Sequence, residues 1–116
     1  MCIRDSLRIN RMLSHTTLKE ITQKVIDVAK PRKIILFGSY ARGEAEEDSD
    51  LDLLIVEDTI SNKGKEAIKI RNAIGGVGLG VDILVCAEDE LQDWSHIPGS
   101  TIYWALREGK VIYEVC

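Results

Sequence analysis

Residues 38–56 read GSYARGEAEEDSDLDLLIV, and this stretch decides how the rest of the chain is understood. Just before it, Lys33 to Phe37 (KIILF) is a short apolar, β-branched run ending at Gly38, which predicts a buried strand followed at once by a turn. At its far end, Leu51 to Val56 (LDLLIV) predicts a second strand, entered from the polar segment GEAEEDSD. Gly38-Ser39 closes the first strand and Asp50-Leu51-Asp52 opens the second. A glycine lets backbone approach a phosphate closely. If Ser39 to Arg42 begins a helical turn, its unpaired N–H groups and the Ser39 hydroxyl face that anion, so Gly38-Ser39 is a candidate phosphate cradle. Asp50 and Asp52 lie two apart on a strand, which projects both carboxylates from one face, roughly 6–7 Å apart along the backbone. Both can converge on one hard cation.

Working outward, Thr17 and Glu20 have capping-box spacing, and Leu18, Ile21, Val25 and Val28 recur at helical intervals, so a helix is expected from about Thr17 that stops before Pro31. Ala67, Ile70 and Ile74 fall on one face of a helix predicted over residues 63–74, with Gly75-Gly76 as its stop. Val81 to Cys86 (VDILVC) predicts a third strand, in which Val81, Ile83 and Val85 alternate with Asp82, Leu84 and Cys86. Ser100 to Glu108 predicts a helix capped by Gly109, with Ile102, Ala105 and Leu106 on its apolar face, leading into a last strand over residues 111–115. Helix, strand, strand, helix, strand, helix, strand is an α/β order with a small mixed sheet.

Asp82 interrupts an otherwise apolar strand, where a buried carboxylate would be costly without a cation or a proton. With Asp50 and Asp52 it makes a set of three oxygen donors. Magnesium takes one or two carboxylates plus substrate phosphates, and two such ions about 3.5–4 Å apart clamp the attacking and leaving oxygens of a phosphoryl transfer. Asp82 is assigned to the nucleophile side, where it could also accept the attacking hydroxyl's proton. Ser49 is placed to orient Asp50. Glu44, Glu46, Glu47 and Asp48 are read as a solvated loop, because inward they would crowd the site with negative charge.

Gly-Ser, ten intervening residues and Asp-x-Asp together resemble the signature of the DNA polymerase β nucleotidyltransferase superfamily. FGSYARGE, SDLDLLI, VDILV and a helix ending in REGKVIYE further resemble the minimal nucleotidyltransferases (MNT) of bacteria and archaea. The resemblance implies a polymerase β-like fold, a small mixed sheet with helices packed on one side. It carries the family's nucleotide-binding Gly-Ser onto Gly38 and Ser39, and its catalytic, metal-binding aspartates onto Asp50, Asp52 and Asp82. Arg42, in the matching ARG run, would reach a triphosphate oxygen. The implied activity is protein adenylyltransfer from ATP with magnesium, to a tyrosine of a HEPN-domain RNase toxin whose type VII antitoxin this chain would be.

Bulk properties narrow the field. The 116 residues, 45% hydrophobic, suffice for one core, so 16–116 is expected to form a single domain and 1–15 an extension, frayed or non-native. A net charge of -4 supplies no basic field for a nucleic-acid backbone, so a nucleic-acid substrate is disfavoured. No run approaches the roughly 18 apolar residues of a membrane span, and no apolar signal core opens the chain. Cys2, Cys86 and Cys116 have no paired or zinc-ligand spacing, which suits free thiols in a reducing cytoplasm.

GGVGLG (75–80) precedes a strand, unlike a dinucleotide fingerprint, and is read as a helix stop and turn. His96 is assigned to the surface or partial packing, and Trp94, Tyr103 and Trp104 to core or interface. Two other functions fit the same residues: a small-molecule nucleotidyltransferase resembling the aminoglycoside-modifying enzymes, and a non-catalytic module that neutralises a partner by binding. Homo-oligomerisation is left open.

Overall fold

A computed structural model describes residues 2–3, 15–42, 50–75, 80–94 and 96–115. The first helix, α1 (His15–Ala29), turns Leu18, Ile21, Val25 and Ile26 inward. It begins two residues before Thr17, so Thr17 and Glu20 lie inside the helix instead of forming its cap. Its end follows from Pro31: Lys30 takes a left-handed φ of 47°, its N–H bonds to the Ile26 carbonyl at 3.0 Å, and the proline cannot continue the ladder.

Strand β2 (Lys33–Phe37) leads through the four-residue helix α2 (Ser39–Arg42) towards β3 (Leu51–Glu57). Helix α3 (Lys63–Ile74) is capped at its start by Asn62, whose side chain accepts from the Lys65 N–H at 3.0 Å, and at its end by Gly75. Strand β4 (Val81–Ala87), helices α4 (Glu88–Trp94) and α5 (Thr101–Glu108), and strand β5 (Lys110–Glu114) complete the order. A two-residue strand, β1 (Cys2–Ile3), pairs with the edge of β5; the remainder of the expected extension, residues 1 and 4–14, lies outside the described residues. The sheet runs β1-β5-β2-β3-β4, antiparallel except for β3 and β4, whose parallel pairing is made possible by the α3 crossover.

The mixed sheet is as expected, but its helices are not confined to one side. Leu51, Leu53 and Ile55 of β3 face Leu18, Ile21 and Val25 of α1 and Ile70 and Ile74 of α3. Leu54 and Val56 point the other way, into a second cluster with Ile35, Cys86, Leu91 of α4 and Ala105 of α5. A strand covered on both faces must be apolar at consecutive positions, which is why Leu53 to Val56 break the alternation of a half-exposed strand.

Helix α4 has little apolar surface to bury beyond Leu91, and its start is secured by charge. Glu88, Asp89 and Glu90 occupy the first turn, where the helix dipole favours anions, and Glu90 reaches back to accept from the Ala87 N–H at 3.3 Å. Lys63, hydrogen-bonded to Glu90, holds that carboxyl below the usual range. The buried Cys86 is a free thiol, pushed up to about 11 by its burial, so it stays protonated and unreactive. No helix among the described residues is long and apolar enough to cross a membrane.

At the end of β3, Glu57 has a buried Oε2 and faces Glu66 of α3, beside which Lys69 Nζ sits 3.0 Å from Oε1. Burial first, then the hydrogen bond and charge of Glu66, push the Glu57 carboxyl up to about 7. A carboxyl raised on folding binds its proton more tightly in the native state, so its contribution to stability is fullest below about 4.5 and is lost as pH rises to about 7. Glu57→Gln, which mimics the protonated acid, is therefore expected to raise Tm at pH 8 by on the order of a few degrees, and to lose that advantage as pH falls to 5. Thermal melts across this range check it; an equal shift at both pH values would refute the assignment.

Candidate active site

The junction of β2 and α2 requires a glycine for two separate reasons. Gly38 has a φ of 77°, a left-handed conformation that a Cβ disfavours, and a Cβ there would collide with Asp52 Oδ2. On the other side of β3, a Cβ on Gly80 would collide with Asp50 Oδ1. Since β2 and β4 flank β3, the carboxylates of Asp50 and Asp52 lean to opposite sides, each into space that a glycine vacates.

Register then brings in the third carboxylate. Asp52 is paired with Phe37 of β2 on one side and with Asp82 of β4 on the other. Adjacent strands are about 4.8 Å apart, so the Asp52 and Asp82 backbones are immediate neighbours. Both side chains share the sheet face of Leu54, Val56, Leu84 and Cys86, because residues two apart on a strand point the same way. Helices α4 and α5 cover only the far part of that face, against Ile35, Leu54, Val56 and Cys86. Asp82 and Asp50 are left exposed and Asp52 partly buried. The expectation that Asp82 is a costly buried charge is thus corrected: the cover stops short of it.

A cavity of about 350 Å³ opens here, lined by Asp50, Arg71, Ile74, Gly75, Gly80, Val81 and Asp82. Arg71 comes from the last turn of α3, where a cation is favoured by the helix dipole. The sequence reading missed it, because only the fold brings the end of α3 alongside β4. A basic residue just before the Gly75 helix stop was the available signal.

Of the residues singled out from sequence, Asp50, Asp52, Asp82 and Gly38 are brought together at one end of the sheet. Ser39 and Arg42 belong to α2, immediately after Gly38. The Gly43–Ser49 segment, including the acidic residues and Ser49, and residues 76–79 of the glycine-rich run lie outside the described residues. Among the described residues, no three His, Cys, Asp or Glu side chains are gathered closely enough to hold a metal ion, in keeping with the divergent lean of Asp50 and Asp52. His96 is at the surface as expected, while Trp94 and Trp104 are 45% and 49% exposed and so do not belong to the core.

A mixed sheet with a Gly-Ser turn after one strand, Asp-x-Asp at the start of the next and a third aspartate in register is the arrangement of a nucleotidyltransferase. The profile of the nucleotidyltransferase domain family matches residues 17–103, and the chain belongs to that family. A relative from Methanocaldococcus jannaschii, named "Putative protein adenylyltransferase MJ0141", is 37% identical over 70 residues, 59% of this chain and 70% of the relative. Among solved structures, one chain of a toxin-antitoxin complex with AMP-PNP superimposes with a TM-score of 0.56 at 25% identity, covering 84% of this chain and 73% of its own. A chain from the complex of the tri-AMPylated Shewanella oneidensis HEPN toxin with its MNT antitoxin shares the fold, with a TM-score of 0.51 at 22% identity over 86% of this chain and 71% of that one.

Gly38→Ala should lower stability by about 1–2 kcal/mol through the left-handed backbone alone, a fall in Tm of roughly 4 °C or more, with the collision at Asp52 adding to it. Gly64→Ala near the start of α3, where a Cβ meets only Asn62 Oδ1 at an ordinary 3.5 Å, should leave Tm unchanged or higher. Paired thermal melts decide, and equal effects would show that Gly38 is not constrained as described.

Proposed function

We propose that this chain transfers AMP from ATP to a tyrosine hydroxyl of a HEPN-domain RNase and thereby acts as its antitoxin. The observation that carries the reading is the register of β3 against β4, which sets Asp52 beside Asp82 on the open part of the sheet, with Gly38 packed against the Asp52 carboxylate. The relatives support the choice of AMP and of a protein acceptor, since one is named as a protein adenylyltransferase and others come from toxin-antitoxin complexes.

Magnesium fits the donor set in kind. Asp50, Asp52 and Asp82 offer only hard oxygens, and Gly38 and Gly80 leave carboxylate oxygens the room that side chains would take. These three residues would hold the ion, which when bound supplies charge neutralisation on the phosphates. Gly38 and Ser39 would cradle the distal phosphates, with Arg42 reaching a triphosphate oxygen. Asp82 is exposed on the outer of the two parallel strands, which supports a role in taking the proton of the incoming hydroxyl. The acceptor oxygen then bonds to the α-phosphorus as the bond to pyrophosphate breaks. The partner would deliver its own hydroxyl to the site and so supply the positioning that phosphoryl transfer relies on.

The test is intact mass spectrometry of the protein encoded by the adjacent reading frame, after incubation with this chain, ATP and magnesium. A gain of one or more AMP units is expected. Asp50→Asn with Asp52→Asn should reduce the rate by roughly a hundredfold or more, since several kcal/mol of charge stabilisation are lost. No gain with both proteins folded, or near-normal transfer by the double variant, would sink the reading.

A further inference from the structure

The two sides of the Asp50–Asp52 pair are not equivalent. Gly38 and Ser39 follow β2, on one side of β3, whereas Gly80, Val81 and Asp82 belong to the β4 side. The cavity of about 350 Å³ lies on this second side, away from the phosphate cradle, and its volume falls in the range of small-molecule sites. With the triphosphate on the β2 side, the cavity receives the acceptor.

Among the described residues its lining contains two carboxylates and one cation, Arg71. Nearby, Lys24 donates to the Ile74 carbonyl at 3.1 Å and so is committed to capping α3. Arg71 is exposed and has no side-chain hydrogen bond or ion pair among the described residues, not even with the Asp50 and Asp82 that share its cavity. A guanidinium offers a planar fork of donors matched to two oxygens of a phosphate. An unmodified tyrosine is neutral and offers such a fork no pair of anionic oxygens, only a single phenolic oxygen and a ring face. A tyrosine that already carries AMP presents a phosphodiester anion next to a ribose hydroxyl.

We infer that Arg71 binds the phosphodiester of an acceptor that is already nucleotidylated, and so determines how many AMP units the chain adds. The inference rests on the proposed protein nucleotidylation. In each later transfer, a ribose hydroxyl oxygen of the attached AMP forms the new bond to the α-phosphorus of a further ATP. The bond from that phosphorus to pyrophosphate breaks, and the hydroxyl proton passes to a carboxylate of the site. Arg71 holds the attached AMP so that its ribose, instead of the tyrosine ring, reaches the site.

The experiment is a time course of intact masses of the adjacent-frame protein with ATP, magnesium and either wild-type chain, Arg71→Gln or Arg71→Lys, each variant first checked for an unchanged melting curve. Wild type should build a ladder of products beyond the first AMP. Arg71→Gln should add the first unit within about threefold of the wild-type rate and later units at least roughly tenfold more slowly, with Arg71→Lys between them, since lysine keeps the charge and loses the fork. An unchanged ladder in Arg71→Gln, or a wild-type reaction that stops at one unit, overturns the inference and leaves the nucleotidylation reading standing. Equal slowing of first and later additions also overturns it, because Arg71 would then serve nucleotide or partner binding in general. No transfer by wild type defeats the nucleotidylation reading itself.

Discussion

The parallel pairing of β3 with β4 is the constraint on which the rest of the molecule depends. Seven residue pairs, from Leu51 with Val81 to Glu57 with Ala87, hold the two strands in one register. A slip of a single residue would turn Asp82 towards the face covered by α1 and α3 and bring Val81 or Ile83 out in its place. The slip is opposed by both layers at once, because Leu51, Leu53 and Ile55 are packed on one side while Leu54 and Val56 are packed on the other. The position of the Asp82 carboxylate is thus set by apolar packing several residues away from it.

Most of this architecture was legible in the amino-acid order because its elements carry strong local signals. KIILF and LDLLIV are short apolar runs rich in branched side chains and bounded by turn residues, as buried strands are, and Pro31, Gly75 and Gly109 stop helices where the chain requires it. Helix α4 was not legible, since EDELQDW has one buried apolar residue and no helical stripe; its start combines a local bond from the Ala87 N–H to Glu90 with a long-range contact of Glu90 to Lys63. The distribution of helices was readable in principle and was misread. Four consecutive apolar residues from Leu53 to Val56 are what a strand shielded on both faces needs, and they argue against an uncovered face.

For the site, legibility followed sequence distance. Gly38, Asp50 and Asp52 sit on two strands joined by one connection, so their spacing alone constrains their geometry. Asp82 was found by motif and by its intrusion into an apolar strand, yet its burial was misjudged, because how far α4 and α5 extend over the sheet cannot be read from β4. Arg71 left only the weak signal of a basic residue in the last turn before Gly75, which says nothing of where the helix end lies in the fold. It reaches the cavity only through the α3 crossover, whose length and angle return the helix end to the start of β4.

Electrostatics gives this division a reason. Three carboxylates at one end of a sheet repel each other, and the structure keeps them apart: Asp52 leans beneath Gly38, Asp50 leans beneath Gly80, and Asp82 is open to water. Drawing them together requires positive charge from elsewhere, which couples their convergence to the arrival of a cation. In the proposed reaction, a cation bound there would be shared with the triphosphate and would not select among acceptors. On the proposed reading, selection by charge on the far side of the carboxylates would fall to Arg71, the cation that lines that cavity among the described residues. On that reading, one end of the sheet separates two tasks: acidic residues tied to β3 and β4 register for the chemistry, and a basic residue carried by the crossover helix for the acceptor.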